Sequence, residues 1–278
     1  MSDSASRFRA LHQRPGLFVM PNPWDAGTAK LLADFGFEAI ATSSAALAWT
    51  QAKVDATGAV ARDDAIVHAR ILAEASGLPV NGDFESGYGN TPPEVAETIR
   101  RAIDAGVAGC SIEDKNQSGS GLYPLDEALR RFSAAKEAAL KSGSDFVLTG
   151  RCEVFGSKSA DPLGEAVRRL QAYEAAGADV VYAPGVTTEA EVRAIVGAAK
   201  VPVNVLGGLG GISNDIAALE KLGVKRVSIG AGLAKVALGA FLKAAQALAE
   251  RRFAYAGAAA SSTLNGAFAA PRGEDEDD

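Results

Sequence analysis

The stretch Gly82-Asp83-Phe84-Glu85-Ser86-Gly87-Tyr88-Gly89 ends a short apolar run of the kind that forms a buried β-strand. A later run ends in the same way, with Ser111-Ile112-Glu113-Asp114. In a parallel α/β protein, ligands bind at the carboxyl ends of the strands. Carboxylates gathered at this edge, in a chain with only 2 histidines, predict a site for a hard divalent cation such as Mg²⁺, or else Mn²⁺.

Short apolar runs alternate with helical patterns along most of the chain. We predict strands over Leu17–Asn22, Ala39–Ser44, Pro79–Glu85, Gly109–Asp114, Phe146–Glu153, Val180–Gly185, Pro202–Gly207 and Arg226–Gly232. We predict helices over Gly27–Phe35, Arg62–Ser76, Pro93–Ala105, Leu125–Ser142, Leu163–Ala176, Glu189–Ala199, Asp215–Leu222 and Leu233–Arg252. Eight strand–helix units within residues 1–252 predict an α/β fold, a (β/α)8 TIM barrel. A doubly wound open sheet is the less favoured alternative, because no Gly-x-Gly-x-x-Gly motif follows the first strand.

The carboxyl-terminal part departs from this alternation. Residues 253–270 form an Ala-, Gly- and Ser-rich extension, and residues 271–278 form an acidic tail that we expect to be disordered. The region Leu233–Phe268 is long for one barrel helix. Its surplus apolar surface predicts packing against a second subunit, and therefore a homo-oligomer, a dimer or a tetramer. The alternative is an Ala-rich helix that docks on its own barrel.

Composition excludes several classes of partner. The net charge is −6 and the basic residues are dispersed, which argues against binding to nucleic acid. We find no apolar run of about 18 residues and no signal-peptide core, so we expect no membrane association. Cys110 and Cys152 fall in predicted strand segments, which argues against a disulfide framework and favours a cytoplasmic location.

The acidic residues of the two motifs form the predicted metal site. Asp83 and Glu85 lie two apart on a predicted strand and so share one face. Adjacent carboxylates raise each other's pKa unless a positive charge lies between them. We predict Asp83 as the direct metal ligand, with Glu85, Glu113 and Asp55 acting around it, in part through water. The alternative is that these carboxylates cap helices.

Other rim residues have the chemistry of substrate binding. Arg151 ends the fifth predicted strand and is suited to clamp a substrate carboxylate, with Glu153 holding its guanidinium; a structural salt bridge is the alternative. The small residues Ser43, Ser44 and Ala45 follow the second strand and predict an anion-binding turn. Asn204 lies on the same rim.

The segment Lys115–Tyr123 contains two glycines among polar residues, which predicts either a mobile lid or an ordinary flexible loop. Both histidines, His12 and His68, fall away from the rim, which argues against a histidine-based triad or zinc site.

These motifs together resemble the isocitrate lyase/phosphoenolpyruvate mutase superfamily. The matching segments, in order, are Pro23–Gly27, Thr42–Ser44, Asp83–Gly89, Ile112–Lys115, Gly150–Glu153 and Ala176–Asp179. The resemblance implies a Mg²⁺-dependent barrel with a helix swapped between subunits. It also implies an α-oxo or α-hydroxy carboxylate substrate bound to the metal, and a C–C or C–P bond made or broken through an enolate-like intermediate.

The resemblance assigns roles by position. It places Asp83, Glu85, Glu113 and Asp55 in the metal cluster, Ser43, Ser44 and Ala45 in the carboxylate-binding turn, and Arg151 with Glu153 at the substrate. The lid departs from isocitrate and methylisocitrate lyases, whose lid carries a Lys-Lys/Arg-Cys-Gly-His motif, because Lys115–Tyr123 has neither Cys nor His. Asn116 matches the Asn-containing lid of the mutase-like members, and Tyr123 or Lys115 are alternative proton donors.

The sequence therefore predicts a Mg²⁺-dependent carbon–carbon lyase acting on a small α-oxo or α-hydroxy carboxylate. The alternatives are an enzyme that makes or breaks a C–P bond, and a non-catalytic barrel that binds a metabolite.

Overall fold

The computed structural model describes residues 4–116 and 121–269. The predictions for lid residues 117–120 and for the acidic tail fall outside this part of the chain. The strands are β1 Phe18–Met20, β2 Ile40–Ala41, β3 Val80–Asp83, β4 Gly109–Glu113, β5 Val147–Arg151, β6 Val180–Tyr182, β7 Val203–Leu206 and β8 Arg226–Ser228. The described α-helices are α1 Ser4–Gln13, α2 Ala26–Asp34, α3 Ser44–Thr50, α4 Arg62–Ser76, α5 Pro92–Asp104, α6 Leu125–Lys141, α7 Pro162–Ala175, α8 Glu189–Ala198, α9 Ile216–Lys221, α10 Gly232–Ala249 and α11 Ser261–Ala269.

The eight strands form one parallel sheet in the order β1-β8-β7-β6-β5-β4-β3-β2. The first strand pairs with the last, and the Ala41 N–H donates to the Pro21 carbonyl at 3.0 Å, which joins the two ends of the sheet. The sheet is therefore a nearly closed (β/α)8 barrel, as predicted, and the open-sheet alternative is wrong. Each predicted strand is present but shorter.

The wall of the barrel is built from apolar side chains on strands and helices that pack closely. At Gly150 in β5, a Cβ would lie 2.7 Å from the Tyr173 Cβ on α7, so only glycine lets this helix approach the strand. Cys110 and Cys152 are free and buried in this wall, as the sequence predicted.

Helix α1 closes the amino-terminal end of the barrel, where the sequence predicted no helix. Phe8 is fully buried and packs edge-to-face on Phe18 at 6.4 Å between ring centroids. His12 lies beside both rings. The lead-in before the first strand is therefore part of the core, and His12 lies at the opposite end of the barrel from the catalytic rim.

Helix α10 carries large exposed apolar side chains. Val236, Phe241 and Leu242 are 71%, 66% and 65% exposed. Contrary to the sequence prediction, this one helix of the described chain is long and apolar enough, by length and composition, to cross a membrane. Two lysines, Lys235 and Lys243, interrupt its apolar run but leave its average hydropathy high.

The carboxyl-terminal extension contains a further helix, α11, that the sequence analysis did not predict. It packs against α2 of the same chain, where the Phe268 ring lies 3.5 Å from the position of a Cβ on Gly27. The extension therefore contacts its own barrel, while most of α10 does not.

Candidate active site

The carboxyl ends of the strands surround a cavity of about 270 Å³. This volume suits a small metabolite rather than a large cofactor. Residues that line the cavity include Asn22, Ser43, Ser44, Ala45, Trp49, Asp55, Asn81, Asp83, Ser111, Arg151, Tyr182, Asn204, Arg226, Ser228 and Lys235. The structure therefore brings together seven of the predicted site residues: Asp83, Asp55, Ser43, Ser44, Ala45, Arg151 and Asn204.

A row of polar residues in register runs obliquely across the barrel wall, from the carboxyl end of β4 to the first residue of β8. Each of these residues is the register partner of the next one on the neighbouring strand. In order from β4 to β8 they are Glu113, Arg151, Tyr182, Asn204 and Arg226. Register partners in a parallel sheet point to the same face. This register row therefore adds five polar residues to an interior that also holds the buried, cavity-lining Asn22, Asn81, Ser111 and Ser228.

Arg151 lies at the centre of the acidic cluster. Its Nη1 donates to Asp83 Oδ1 at 2.9 Å, and its Nε contacts Glu113 Oε2 at 3.3 Å and donates to Glu153. Its guanidinium also lies 5.3 Å from the centre of the Tyr182 ring. Burial opposes the charge on Arg151, but the three carboxylates outweigh burial and raise its pKa. Arg151 is thus the positive charge that holds these acids together in the protein itself.

The cluster nevertheless contains more carboxylates than positive charges. Burial, followed by neighbouring carboxylates, raises the pKa of Glu85 to about 7. Burial also raises the pKa of Glu113 to about 8, even though Arg151 acts in the opposite direction. One guanidinium does not neutralise all of these groups, so further positive charge would stabilise their ionised forms.

Asp83 ends β3 and is fixed on both sides. Its Oδ2 accepts a hydrogen bond from the Ser44 N–H at 3.0 Å, and its own N–H donates to Thr42 Oγ1 at 2.7 Å. Ser43 is the N-cap of α3, with its Oγ accepting from the Ala46 N–H at 3.3 Å. The predicted anion-binding turn is thus the start of a short helix, and one of its N–H groups binds a protein carboxylate.

Glu85 does not share a strand face with Asp83, contrary to the sequence prediction. The strand ends at Asp83, and Glu85 has a left-handed backbone with φ of +47°. Its carbonyl accepts from the Glu113 N–H at 2.9 Å, which ties this turn to the next strand. Neither Glu85 nor Glu113 is among the described residues that line the cavity.

The turn after Asp83 is held by a buried arginine that the sequence analysis did not identify. Arg131 on α6 donates to the carbonyls of Ser86, Gly89 and Asn90 at 2.9, 2.5 and 3.1 Å. Its guanidinium lies 4.6 Å from the centre of the Tyr123 ring. Arg131 thereby connects the Asp83–Gly89 motif to the far end of the predicted lid.

The base of the lid is fixed by a second buried ion pair. Asp114 is fully buried; its Oδ2 accepts from Arg169 at 3.1 Å and its Oδ1 from the Glu153 N–H at 2.8 Å. Lys115 and Leu122 form a β-bridge, and the Asn116 N–H donates to the Gly121 carbonyl at 3.0 Å. Asn116 is not among the described residues that line the cavity, so its predicted catalytic role stays a prediction.

The donor set fits a divalent cation that retains several waters. Asp55 Oδ1 and Asn81 Oδ1 belong to cavity-lining residues, and both are buried without a hydrogen-bond donor in the described chain. Across residues 4–116 and 121–269, no three His, Cys, Asp or Glu side chains form a ready metal cage. Mg²⁺ takes few direct protein ligands, and Asp83 with Asp55 would hold it, supported by Glu85 and Glu113.

Tyr182 and Arg226 line the cavity but were not predicted as site residues. The available signal was a polar or charged residue inside an otherwise apolar strand, as in Val180-Val181-Tyr182 and Arg226-Val227-Ser228. This signal is weak in sequence, because a residue at a strand end is more often solvated than buried.

Comparison with known proteins agrees with the fold and the site. A barrel with its polar cavity at the strand ends is the architecture of a (β/α)8 enzyme. A family model described as phosphoenolpyruvate phosphomutase matches residues 8–249, and the chain belongs to this family.

Three relatives illustrate the similarity. A crystal structure from Burkholderia cenocepacia J2315, provisionally described as a lyase/mutase, is 46% identical, with a TM-score of 0.91 over 96% of this chain and 97% of that one. A 2,3-dimethylmalate lyase, described as a PEP mutase/isocitrate lyase superfamily member, is 25% identical, with a TM-score of 0.85 over 96% and 95%. An oxaloacetate decarboxylase from Bradyrhizobium diazoefficiens is 29% identical over 80% of this chain and 76% of its own length.

The predicted superfamily is therefore confirmed, and the chain is an enzyme of the lyase and phosphomutase type. The chain spans between 54% and 76% of the length of the curated relatives compared with it.

Proposed function

We propose that this enzyme is a Mg²⁺-dependent carbon–carbon lyase that acts on a small α-oxo or α-hydroxy carboxylate through an enolate-like intermediate. The main observation in support is the cavity at the strand ends, which Asp83 and Arg151 line and where Glu113 and Glu153 also contact Arg151. Breaking a bond beside a carboxylated carbon places negative charge on oxygen, and fixed positive charge lowers that barrier.

The proposed roles follow from the contacts. The bound divalent cation would supply the positive charge that polarises the substrate's oxo or hydroxy oxygen. Asp83 and Asp55 would hold it, with Glu85 and Glu113 acting through water. None of the Arg151 contacts found in the described chain uses Nη2, so this nitrogen is the donor for a substrate carboxylate. Asn204 and the turn at Ser43–Ala45 would orient the same ligand.

The lid separates this proposal from methylisocitrate-type chemistry. Lys115–Tyr123 carries neither the cysteine nor the histidine of those lids. A C–P bond enzyme is the second candidate, because the matching family model is that of phosphoenolpyruvate phosphomutase. Asn116 at the base of the lid would then act in that reaction.

Side-by-side assays test the proposal. Oxaloacetate, 2-methylisocitrate and phosphonopyruvate should be offered with Mg²⁺, Mn²⁺ and EDTA, and we expect metal-dependent cleavage of an oxo-dicarboxylate such as oxaloacetate. Asp83→Asn should lower turnover at least a hundredfold, whereas Asp126→Asn, an exposed carboxylate on α6, should leave turnover unchanged. Turnover of phosphonopyruvate alone would favour the C–P enzyme. The absence of turnover for a panel of oxo-acids would favour a non-catalytic barrel.

We also propose that the enzyme is a homo-oligomer, a dimer or tetramer, in which α10 packs on another subunit. An apolar groove between α3 and α10, lined by Trp24, Trp49, Leu238 and Phe241, adjoins the exposed face of α10. A soluble chain does not leave so large an apolar surface in water without cost.

Light scattering on the purified protein tests this arrangement. Phe241→Glu should dissociate the assembly, whereas Lys243→Glu, a polar exchange on the same helix, should preserve it. A monomeric wild-type protein that floats with lipid vesicles would instead show that α10 binds membrane.

A further inference from the structure

A second arginine of the polar row, Arg226, has no acidic partner among the described residues. It is 1% exposed, and its three hydrogen-bond partners are neutral. Its Nε donates to Asn204 Oδ1 at 2.9 Å, its Nη2 to Thr149 Oγ1 at 3.1 Å, and its Nη1 contacts His12 Nε2 at 3.2 Å. Arg151, by contrast, contacts three carboxylates in the same barrel.

An unneutralised buried charge is costly to a folded protein. Burial lowers the pKa of Arg226 to about 9, which still leaves it protonated at neutral pH. Arg226 also lines the cavity, so the bound ligand can contact this charge. A buried cation that stability alone would disfavour is thus retained at the wall of the active site.

Arg226 determines how the Asn204 amide is oriented. A guanidinium has no acceptor atom, so the Asn204 atom that binds it is the carbonyl oxygen. The Asn204 amino group therefore faces the other way, where it donates to Ser228 Oγ at 3.0 Å. The Asn204 amino group retains a second N–H beside this bond, and that N–H suits an anionic oxygen in the cavity.

The two arginines create a charge-separated cavity. Asp83 on β3, with Glu113 and Glu153 on the same arginine, forms an acidic end. Arg226, the first residue of β8, forms a basic end beside Phe8 and His12. These strands are not neighbours, since β3 and β8 are separated by four strands in one direction and by two in the other. The excess negative charge at one end suits a metal ion, and the excess positive charge at the other suits an anionic group.

We propose that Arg226 is a positioning residue that selects ligands with an anionic group at the end remote from the acidic cluster. It does so by holding Asn204 as a hydrogen-bond donor and by supplying an unneutralised positive charge to the cavity. This inference rests on the proposed function, because it assumes that the other end of the ligand binds at Asp83 and Arg151.

The test compares two ligands that differ at the remote end. Malate and lactate offer the same hydroxy-carboxylate group, but only malate carries a second carboxylate. Calorimetry with the Mg²⁺-loaded full-length protein should show that malate binds at least about tenfold more tightly than lactate. Equal affinities in the wild-type protein would overturn the inference without needing any variant.

His12 allows the charge of Arg226 to be neutralised from outside the cavity. His12→Glu places a carboxylate against the far side of the guanidinium, whereas His12→Gln offers a neutral acceptor of similar size. We expect His12→Gln to keep the preference for malate and His12→Glu to lose most of it. Lactate affinity should change less than about twofold in both variants, since lactate does not reach the basic end.

Substitutions at Arg226 provide a second route if His12→Glu does not fold. Arg226→Met should abolish the preference for malate, and Arg226→Lys should restore part of it. Lys225→Met, a neighbouring cation that contacts the carbonyls of Arg14 and Gly16 instead, should retain it. Loss of the preference in Lys235→Met but not in the Arg226 variants would overturn the inference, because the remote carboxylate would then lie at the cavity mouth.

The outcomes also distinguish this inference from the proposed function. If neither ligand binds with Mg²⁺ present, the proposed function fails and the inference fails with it. If both bind with equal affinity, the proposed function stands and the role of Arg226 is refuted.

Discussion

Replacing Arg131 by Met should destabilise the protein strongly and weaken the metal site. Arg131 is 1% exposed and donates three hydrogen bonds to the carbonyls of Ser86, Gly89 and Asn90. These residues follow Asp83 and surround Tyr88, which has a left-handed backbone with φ of +49°. Methionine has similar length and no donors, so it fills the space but leaves the carbonyls unpaired.

The expected loss follows from these contacts. A hydrogen bond from a charged donor contributes about 1.5–3 kcal/mol, and relaxation of the turn, with water reaching the exposed Asn90, recovers part of this. We therefore expect Arg131→Met to lower the free energy of unfolding by about 4 kcal/mol, which corresponds to a fall in Tm of roughly 8–16 °C for a domain of this size. The affinity for Mg²⁺ should also fall, because the turn carries Glu85.

Arg130 provides the matched control. It is the preceding residue on the same helix, but it is exposed and pairs only with Asp126 and Glu127 at the surface. Such pairs contribute at most about 1 kcal/mol, so Arg130→Met should lower Tm by less than roughly 4 °C.

Thermal unfolding followed by circular dichroism, with and without Mg²⁺, compares the two variants. A Tm for Arg131→Met close to that of Arg130→Met would refute the reasoning, since it would show that the turn does not depend on these three bonds. A large fall in Tm with unchanged Mg²⁺ affinity would refute only the link between the turn and the metal.

Two further predictions concern the same region. Gly87 has φ of +96°, and a Cβ there would lie 2.6 Å from the Val95 Cγ1, so Gly87→Ala should lower the free energy of unfolding by about 2–4 kcal/mol in chemical denaturation. Burial raises the pKa of Glu113 from 4.5 to about 8, so the folded protein keeps a proton that the unfolded chain has lost. The contribution of Glu113 to stability should therefore fall as the pH rises from about 4.5 to 8. Thermal melting in EDTA should give a lower Tm for the wild-type protein at pH 8 than at pH 5.5. This difference should be smaller in Glu113→Gln, and added Mg²⁺ should remove it from the wild-type protein. An identical pH dependence of Tm in Glu113→Gln would contradict the prediction.

Much of the barrel could be predicted from local sequence patterns. Eight apolar runs marked eight strands, because buried parallel strands are apolar on both faces. The helices between them were identified by their periodicity, and glycines such as Gly77, with a left-handed φ of +69°, marked their ends. Helices α1, α3 and α11 were not predicted, since α1 and α11 lie outside the alternation and α3 is only 7 residues long.

The candidate site was predicted in part. The position of Asp83 and Arg151 at strand ends follows from the rule that a parallel sheet places all its carboxyl ends on one edge. Asn204 was predicted on the same rim but is the buried second residue of β7. Glu85 was placed near Asp83 for the wrong reason, since a left-handed residue after the strand, rather than strand alternation, sets its direction. Arg131 was missed because a helical arginine normally lies in solvent.

The sequence by itself determined the strand–helix alternation, the acidic motifs at strand ends and the absence of cysteine and histidine from the lid. Only the tertiary structure decided that Glu113, Arg151, Tyr182, Asn204 and Arg226 form one register row, because strand register depends on contacts between distant segments. It also decided which charges are neutralised. Arg151 ends one strand and Arg226 begins another. One is surrounded by carboxylates and the other by neutral groups, since closure of the barrel determines which side chains meet.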